Sequence, residues 1–184
     1  SEESITYGSL LKLVNQYQTL WSQKGWRSGD RIIVVVKPSK ELYAISLSLL
    51  SMGMIPVFID TGMGRNKIEM AVKDSGAKAI ISIKSPLKRY CIDGSGMGYQ
   101  NVNKELDRID RVKPLMCDPQ SETSHGLISF TSGSTGRPKG ADRTHYSLIQ
   151  QHLAIRDHWQ DEQYDIDCPC FPVMVLHNLS CGMT

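Results

Sequence analysis

The sequence predicts an α/β fold, a largely parallel sheet with helices packed on it. Two observations carry this expectation. Helical and extended patterns alternate through the first half of the chain, the order expected when helices link parallel strands. The extended runs are also continuous: Ile32 to Val36 is β-branched at every position, as in a strand covered on both faces. The 184 residues suffice for one domain with a real core, or for one lobe of something larger.

Thr6 can cap a first helix that runs to about Lys24. Leu10, Leu13, Val14, Tyr17, Leu20 and Trp21 recur at helical spacing and form its apolar face. Gly25 ends it, and Arg27-Ser28-Gly29-Asp30 is a turn before the strand over Ile32 to Val36. Ser39 caps a second helix whose buried side is Leu42, Ile45 and Leu49, and Gly53 closes it. Ile55 to Ile59 is the next strand. The glycines of Asp60-Thr61-Gly62-Met63-Gly64 lack the third glycine of a dinucleotide fingerprint, so they are expected to form a tight turn. A third helix covers Asn66 to Ser75, with Glu69 and Lys73 as an i,i+4 pair, and Gly76 stops it. Ala79 to Ile83 is a further strand.

Lys84 to Ser124 is less regular. Gly94, Gly96 and Gly98 sit in a polar stretch expected to be a surface loop, and Asn103 to Arg111 a short charged helix. Leu127 to Phe130 is a short buried strand. Thr144 caps a helix over His145 to His158, with Tyr146, Ile149 and Leu153 inward. His145 is assigned to local packing and His125 to a turn; Asp142 and Arg143 are close enough to pair. Phe171 to Leu176 is another apolar segment.

Bulk properties exclude several classes. Hydrophobic residues make up 40% and charged residues 22%, as in ordinary globular proteins. Twenty-one basic residues against 19 acidic ones do not make a nucleic-acid surface. No apolar run is long enough for a transmembrane segment. The polar, acidic start is not a signal peptide, and the absence of an initial Met points to residues upstream. Five cysteines without regular spacing favour reduced thiols and a cytoplasmic setting. Cys168, Cys170, His177 and Cys181 are zinc-ligand types, but their spacing is not that of a finger or ribbon, and no metal site is assigned.

The chemistry is concentrated after the Leu127 strand. Thr131, Ser132, Ser134 and Thr135 alternate with Gly133 and Gly136, followed by Arg137, Pro138, Lys139 and Gly140. Glycines let successive N–H groups turn toward one point, and such a concave row binds anions. The hydroxyls add donors and the two cations add charge, which suits the phosphate chain of a nucleotide. A Walker loop is not matched, because Lys139 is followed by Gly140, Ala141 and Asp142 rather than by Ser or Thr. A solvated Ser/Gly linker would need neither the preceding strand nor the closing Pro-Lys-Gly.

Thr131 to Gly140 resembles the signature loop of the adenylate-forming (AMP-binding) superfamily at every motif position, with Arg137 in a slot that the family leaves variable. Ile5-Thr6-Tyr7, Gly29-Asp30-Arg31, Gly53 with Pro56-Val57, and Asp74-Ser75-Gly76-Ala77 resemble the opening half of the family's amino-terminal domain. The resemblance implies that residues 1–184 are the first part of that domain. It implies a mobile loop between two strands that grips the β- and γ-phosphates of ATP, with Mg²⁺, while a carboxylate attacks the α-phosphate. Thr131, Ser132, Gly133, Ser134, Thr135, Gly136 and Lys139 would then be the ATP-binding residues.

Pro56 to Asp60 with Gly62-Met63-Gly64, Phe171-Pro172 and Gly182-Met183-Thr184 resemble the olefin β-lactone synthetase and fatty acyl-AMP ligase branch. That branch implies a long-chain carboxylic acid, with CoA, a carrier protein or the substrate's own hydroxyl as final acceptor. Thr61 departs from the branch's usual Pro. His177 is a candidate acyl-pocket residue, although relatives place that His nearer the Phe-Pro pair, where this chain has Val175. The family's adenine segment, ribose-binding Asp and carboxy-terminal Lys have no counterpart here, so the isolated chain is expected to be inactive. A truncated, non-catalytic nucleotide-binding or interaction module is the alternative.

Overall fold

The computed structural model describes residues 4–82, 98–101, 106, 109, 112, 120–133 and 136–159. They form a six-stranded sheet with helices on both faces. In chain order the elements are α1 (Tyr7–Gln23), β1 (Arg31–Val35), α2 (Lys40–Ser51), β2 (Ile55–Ile59), α3 (Arg65–Ser75), β3 (Ala79–Ser82), β4 (Gly98–Asn101), β5 (His125–Thr131), β6 (Lys139–Thr144) and α4 (His145–Trp159). The sheet order is β4-β3-β1-β2-β5-β6; the first five strands run parallel and β6 returns antiparallel to β5.

Each early boundary has a local cause. The Thr6 hydroxyl accepts from the Ser9 N–H to start α1, and the Ser39 hydroxyl accepts from the Leu42 N–H to start α2. Both helices end in the paired bonds of a Schellman closure: Trp26 N–H to the Trp21 carbonyl with Gly25 to Ser22, and Met54 to Leu49 with Gly53 to Leu50.

Side-chain alternation along the strands divides the core in two. Ile32 and Val34 of β1, Phe58 of β2, Ile81 of β3 and Leu127 of β5 pack under α1 and α2. Ile33, Val57, Ile59, Ile80, Ile128 and Phe130 face the other way, onto Ile68, Ala71 and Val72 of α3. The continuous apolar runs are thus explained by helices on both sides.

Five expectations need correction. Gly98 belongs to a strand, not a surface loop: Gly98 to Asn101 pair in register with Ala79 to Ser82, through backbone bonds that an unpatterned sequence can make. Gly94 and Gly96 lie outside the described residues, as does most of the expected helix from Asn103 to Arg111. Tyr146 and Ile149 point outward, 51% and 47% exposed, whereas Leu148 packs toward the α1–α2 core. Glu69 pairs with Arg65, one turn earlier, at 2.8 Å rather than with Lys73. His125 opens β5, where its Nδ1 meets the Asp142 carboxylate across the hairpin, so Asp142 does not pair with Arg143.

Among the described residues no helix is long and apolar enough to cross a membrane. No group of three His, Cys, Asp or Glu among them is placed to hold a metal ion. Cys168, Cys170, His177 and Cys181 lie outside those residues.

Candidate functional site

β5 runs parallel to β2, so Thr131 emerges at the carboxyl edge of the sheet beside Asp60, whose N–H donates to the Phe130 carbonyl at 3.4 Å. In open α/β sheets this edge is where ligands bind. The neighbouring turn is drawn tight by Asp60, whose carboxylate accepts from the Gly62 N–H at 2.8 Å. It leads into α3, so the helix starts at the same edge as the loop.

The hairpin closes where Thr131 pairs with Lys139, and Ser132, Gly133 and Gly136 to Pro138 lie beyond that pair. Gly133 has φ +55°, and a Cβ there would lie 2.2 Å from the Arg137 carbonyl oxygen. Only glycine satisfies both the left-handed backbone and this approach. Gly136, at φ +83°, turns the chain back, and the buried Pro138 fixes the return into β6. Gly140 is placed flat on the Phe130 ring, with 3.0 Å between the ring and an added Cβ. The loop is therefore pinched where Gly133 meets the Arg137 carbonyl, and it stands on a well-packed hairpin.

Thr131, Ser132, Gly136, Arg137 and Lys139 are exposed at this edge. The structure brings together Thr131, Ser132, Gly133, Gly136 and Lys139 from the expected phosphate set. Ser134, Thr135 and His177 lie outside the described residues. Among the described residues Lys139 has no ion-pair partner. The Arg137 charge is partly offset, since its guanidinium is 3.3 Å from the Asp74 carboxylate of α3. Arg143 belongs to the opposite end of the hairpin, in register with Leu127, and is not a phosphate ligand candidate. His145 is half-buried at the start of α4, its N–H bonded to the Ser124 carbonyl; burial lowers its imidazole pKa below the ordinary value.

Two loop contacts were invisible in the sequence. Lys67 Nζ donates to the Ser132 carbonyl at 2.9 Å, and Asp74 accepts from Arg137. Both partners come from α3, and no local pattern announces contacts 65 and 63 residues apart.

The glycine pinch, the exposed hydroxyls of Thr131 and Ser132, and a Lys139 with no ion-pair partner among the described residues suit a polyphosphate, whose oxygens need several converging donors. A family model described as AMP-binding enzyme matches residues 1–183. The olefin β-lactone synthetase of Xanthomonas campestris pv. campestris is 26% identical over 187 residues, covering 85% of this chain and 30% of that protein. Surfactin synthase subunit 1 of Bacillus subtilis is 31% identical over 154 residues, covering 80% of this chain and 4% of that protein. This chain thus spans less than a third of either relative. A solved structure of o-succinylbenzoate CoA synthetase from Bacillus subtilis, in complex with its acyl-adenylate intermediate, superposes with a TM-score of 0.84 at 15% identity, covering 98% of this chain and 47% of that one. At that identity the superposition speaks for the fold alone. With the family model matched along nearly its whole length, the chain belongs to the family of AMP-binding enzymes.

Proposed function

We propose that residues 1–184 are the first part of the amino-terminal domain of an ATP-dependent, acid-activating enzyme. In the reaction, a carboxylate oxygen of the substrate bonds to the α-phosphorus of ATP as the bond to the bridging oxygen breaks, giving an acyl-adenylate and pyrophosphate. The observation that carries this reading is the pinched loop of Gly133 and Gly136 at the carboxyl edge of the sheet, beside Lys139.

The loop's own residues have a defined task. Backbone N–H groups and hydroxyls from Thr131 to Gly136 donate to the β- and γ-phosphate oxygens, and Lys139 adds charge. Charge accumulates on the departing pyrophosphate, and donors fixed in advance need no reorganisation as it does so. Mg²⁺ would enter with the triphosphate and neutralise charge between its oxygens. A cytoplasmic setting fits both the supply of ATP and five cysteines without regular spacing.

We assign the substrate to the long-chain carboxylic acids, β-hydroxy acids included, with CoA, a carrier protein or the substrate's own hydroxyl as acceptor. The likeness to olefin β-lactone synthetases supports this. Chain-length preference has a simple cause, since each buried CH₂ contributes about 0.8 kcal/mol. The likeness to surfactin synthase favours a second reading, an amino-acid substrate. An amino acid needs a partner for its ammonium, and Phe171 to Thr184 contains no acidic residue.

The test is ATP–pyrophosphate exchange by the full-length gene product with amino acids, aryl acids, short acids, long-chain acids and β-hydroxy long-chain acids. Long-chain acids are expected to give the highest rates, and preference for an amino acid or aryl acid would overturn the fatty-acyl assignment. Lys139→Ala should slow exchange about 10²–10³-fold, the cost of one donor preorganised for the transition state, with the KM of the acid unchanged.

A further inference from the structure

Among the described residues, two polar anchors of the phosphate loop come from one stripe of α3. Lys67 and Asp74 are seven residues apart, nearly two full turns and about 10.5 Å along the axis, so they share a face. Lys67 holds the loop at its entry, on the Ser132 carbonyl, and Asp74 holds it at its exit, on Arg137. Both contacts are exposed. An exposed ion pair such as Arg137–Asp74 adds only about 0–1 kcal/mol to stability, and the exposed Lys67 hydrogen bond is also solvent-competed, so what the two contribute to the loop is orientation.

The Lys67 contact has a specific consequence. The Ser132 carbonyl and the Gly133 N–H belong to one planar trans peptide and point in opposite directions. An ammonium that holds the carbonyl on the α3 side therefore turns the Gly133 N–H away from α3. Without it this peptide is free to rotate, because the glycine that follows tolerates many backbone angles.

We propose that Lys67 is a positioning residue that aims the Gly133 N–H at the ATP phosphates, with Asp74 holding the loop exit in support. This rests on the phosphate-grip reading above, and its test separates the two. Lys67 touches the backbone of the loop, so its effect falls on ATP and not on the acid.

Lys67→Met keeps the aliphatic stem and removes the donor; Lys67→Arg restores a cation of similar reach. Two readouts are taken on the full-length gene product labelled with ¹⁵N-glycine, the Gly133 resonance being assigned by its loss in Gly133→Ala. The first is the Gly133 amide shift without nucleotide. The second is the pair of KM values, for ATP and for the acid, in pyrophosphate exchange. Lys67→Met is expected to move the Gly133 resonance and to raise the KM for ATP about tenfold, as loss of a charge-assisted hydrogen bond does. The KM for the acid and the melting temperature should be unchanged, and Lys67→Arg should recover most of the ATP effect. An unmoved Gly133 resonance in Lys67→Met, or an equal rise in both KM values, overturns the proposal. If the wild-type protein exchanges pyrophosphate with no acid, the functional reading fails, and the Gly133 shift alone decides whether Lys67 orients the peptide.

Discussion

Gly133→Ala is expected to lower ATP–pyrophosphate exchange about 100-fold or more while the melting temperature stays within a few degrees of wild type. Two costs arise at one atom. The methyl forces an L residue into the left-handed region at φ +55°, which costs about 1–3 kcal/mol. It also falls 2.2 Å from the Arg137 carbonyl, inside any tolerable contact, so the pinch between Gly133 and Arg137 must open. The Gly133 N–H then leaves its position, and one misplaced donor of this kind costs about 10²–10³ in rate. Global stability is spared because the loop stands beyond the packed hairpin. Exchange within threefold of wild type would show that the pinch is not required. A large fall in melting temperature would show instead that the loop is part of the folding core.

Trp21→Ala is expected to produce the largest loss of stability, about 3–5 kcal/mol. Trp21 is fully buried where α1 crosses α2. Its ring stacks between Tyr17 at 5.5 Å and Trp26 at 4.8 Å, and its Nε1 donates to the Ser48 hydroxyl at 2.9 Å. Truncation removes both stacking partners' contacts and leaves a cavity that two rings held apart by backbone cannot collapse to fill. Thermal denaturation should show a midpoint lowered by roughly 6–20 °C. Trp21→Phe should recover part of the loss, because it restores the stack without the hydrogen bond. A cost for Trp21→Ala below about 1 kcal/mol would mean that α1 is not docked as described.

The layers of this fold were legible because burial writes itself into local pattern. Ile32 to Val36 and Ile55 to Ile59 read as doubly covered strands, and Thr6 and Ser39 announced their helices by chemistry confined to a few neighbouring residues. β4 was not legible: Gly98-Tyr99-Gln100-Asn101 joins the edge of the sheet by backbone pairing with β3 and carries no apolar periodicity. The face of α4 was misread for a related reason. Tyr146, Leu148, Ile149 and Leu153 are all apolar enough to point inward, and the tight exit from β6 decides that Leu148 does.

The site divided in the same way. Gly133, Gly136 and Lys139 lie in one short stretch, so their grouping at the tip of one hairpin follows from local sequence. Lys67 and Asp74 looked like ordinary surface charges of α3. Only the packing of α3 across β2, β5 and β6 brings them to Ser132 and Arg137. Arg137 shows the cost of reading charge locally: in sequence it is a second cation for phosphate, and in the fold Asp74 partly neutralises it.

The central claim is that the loop between β5 and β6 grips the distal phosphates of ATP. Equilibrium binding of ATP, ADP and AMP to the full-length wild-type protein and to Gly133→Ala tests it most directly. The account predicts that the substitution weakens ATP most and ADP less, and leaves AMP affinity unchanged. Equal weakening of all three nucleotides, or unchanged ATP affinity, would contradict it.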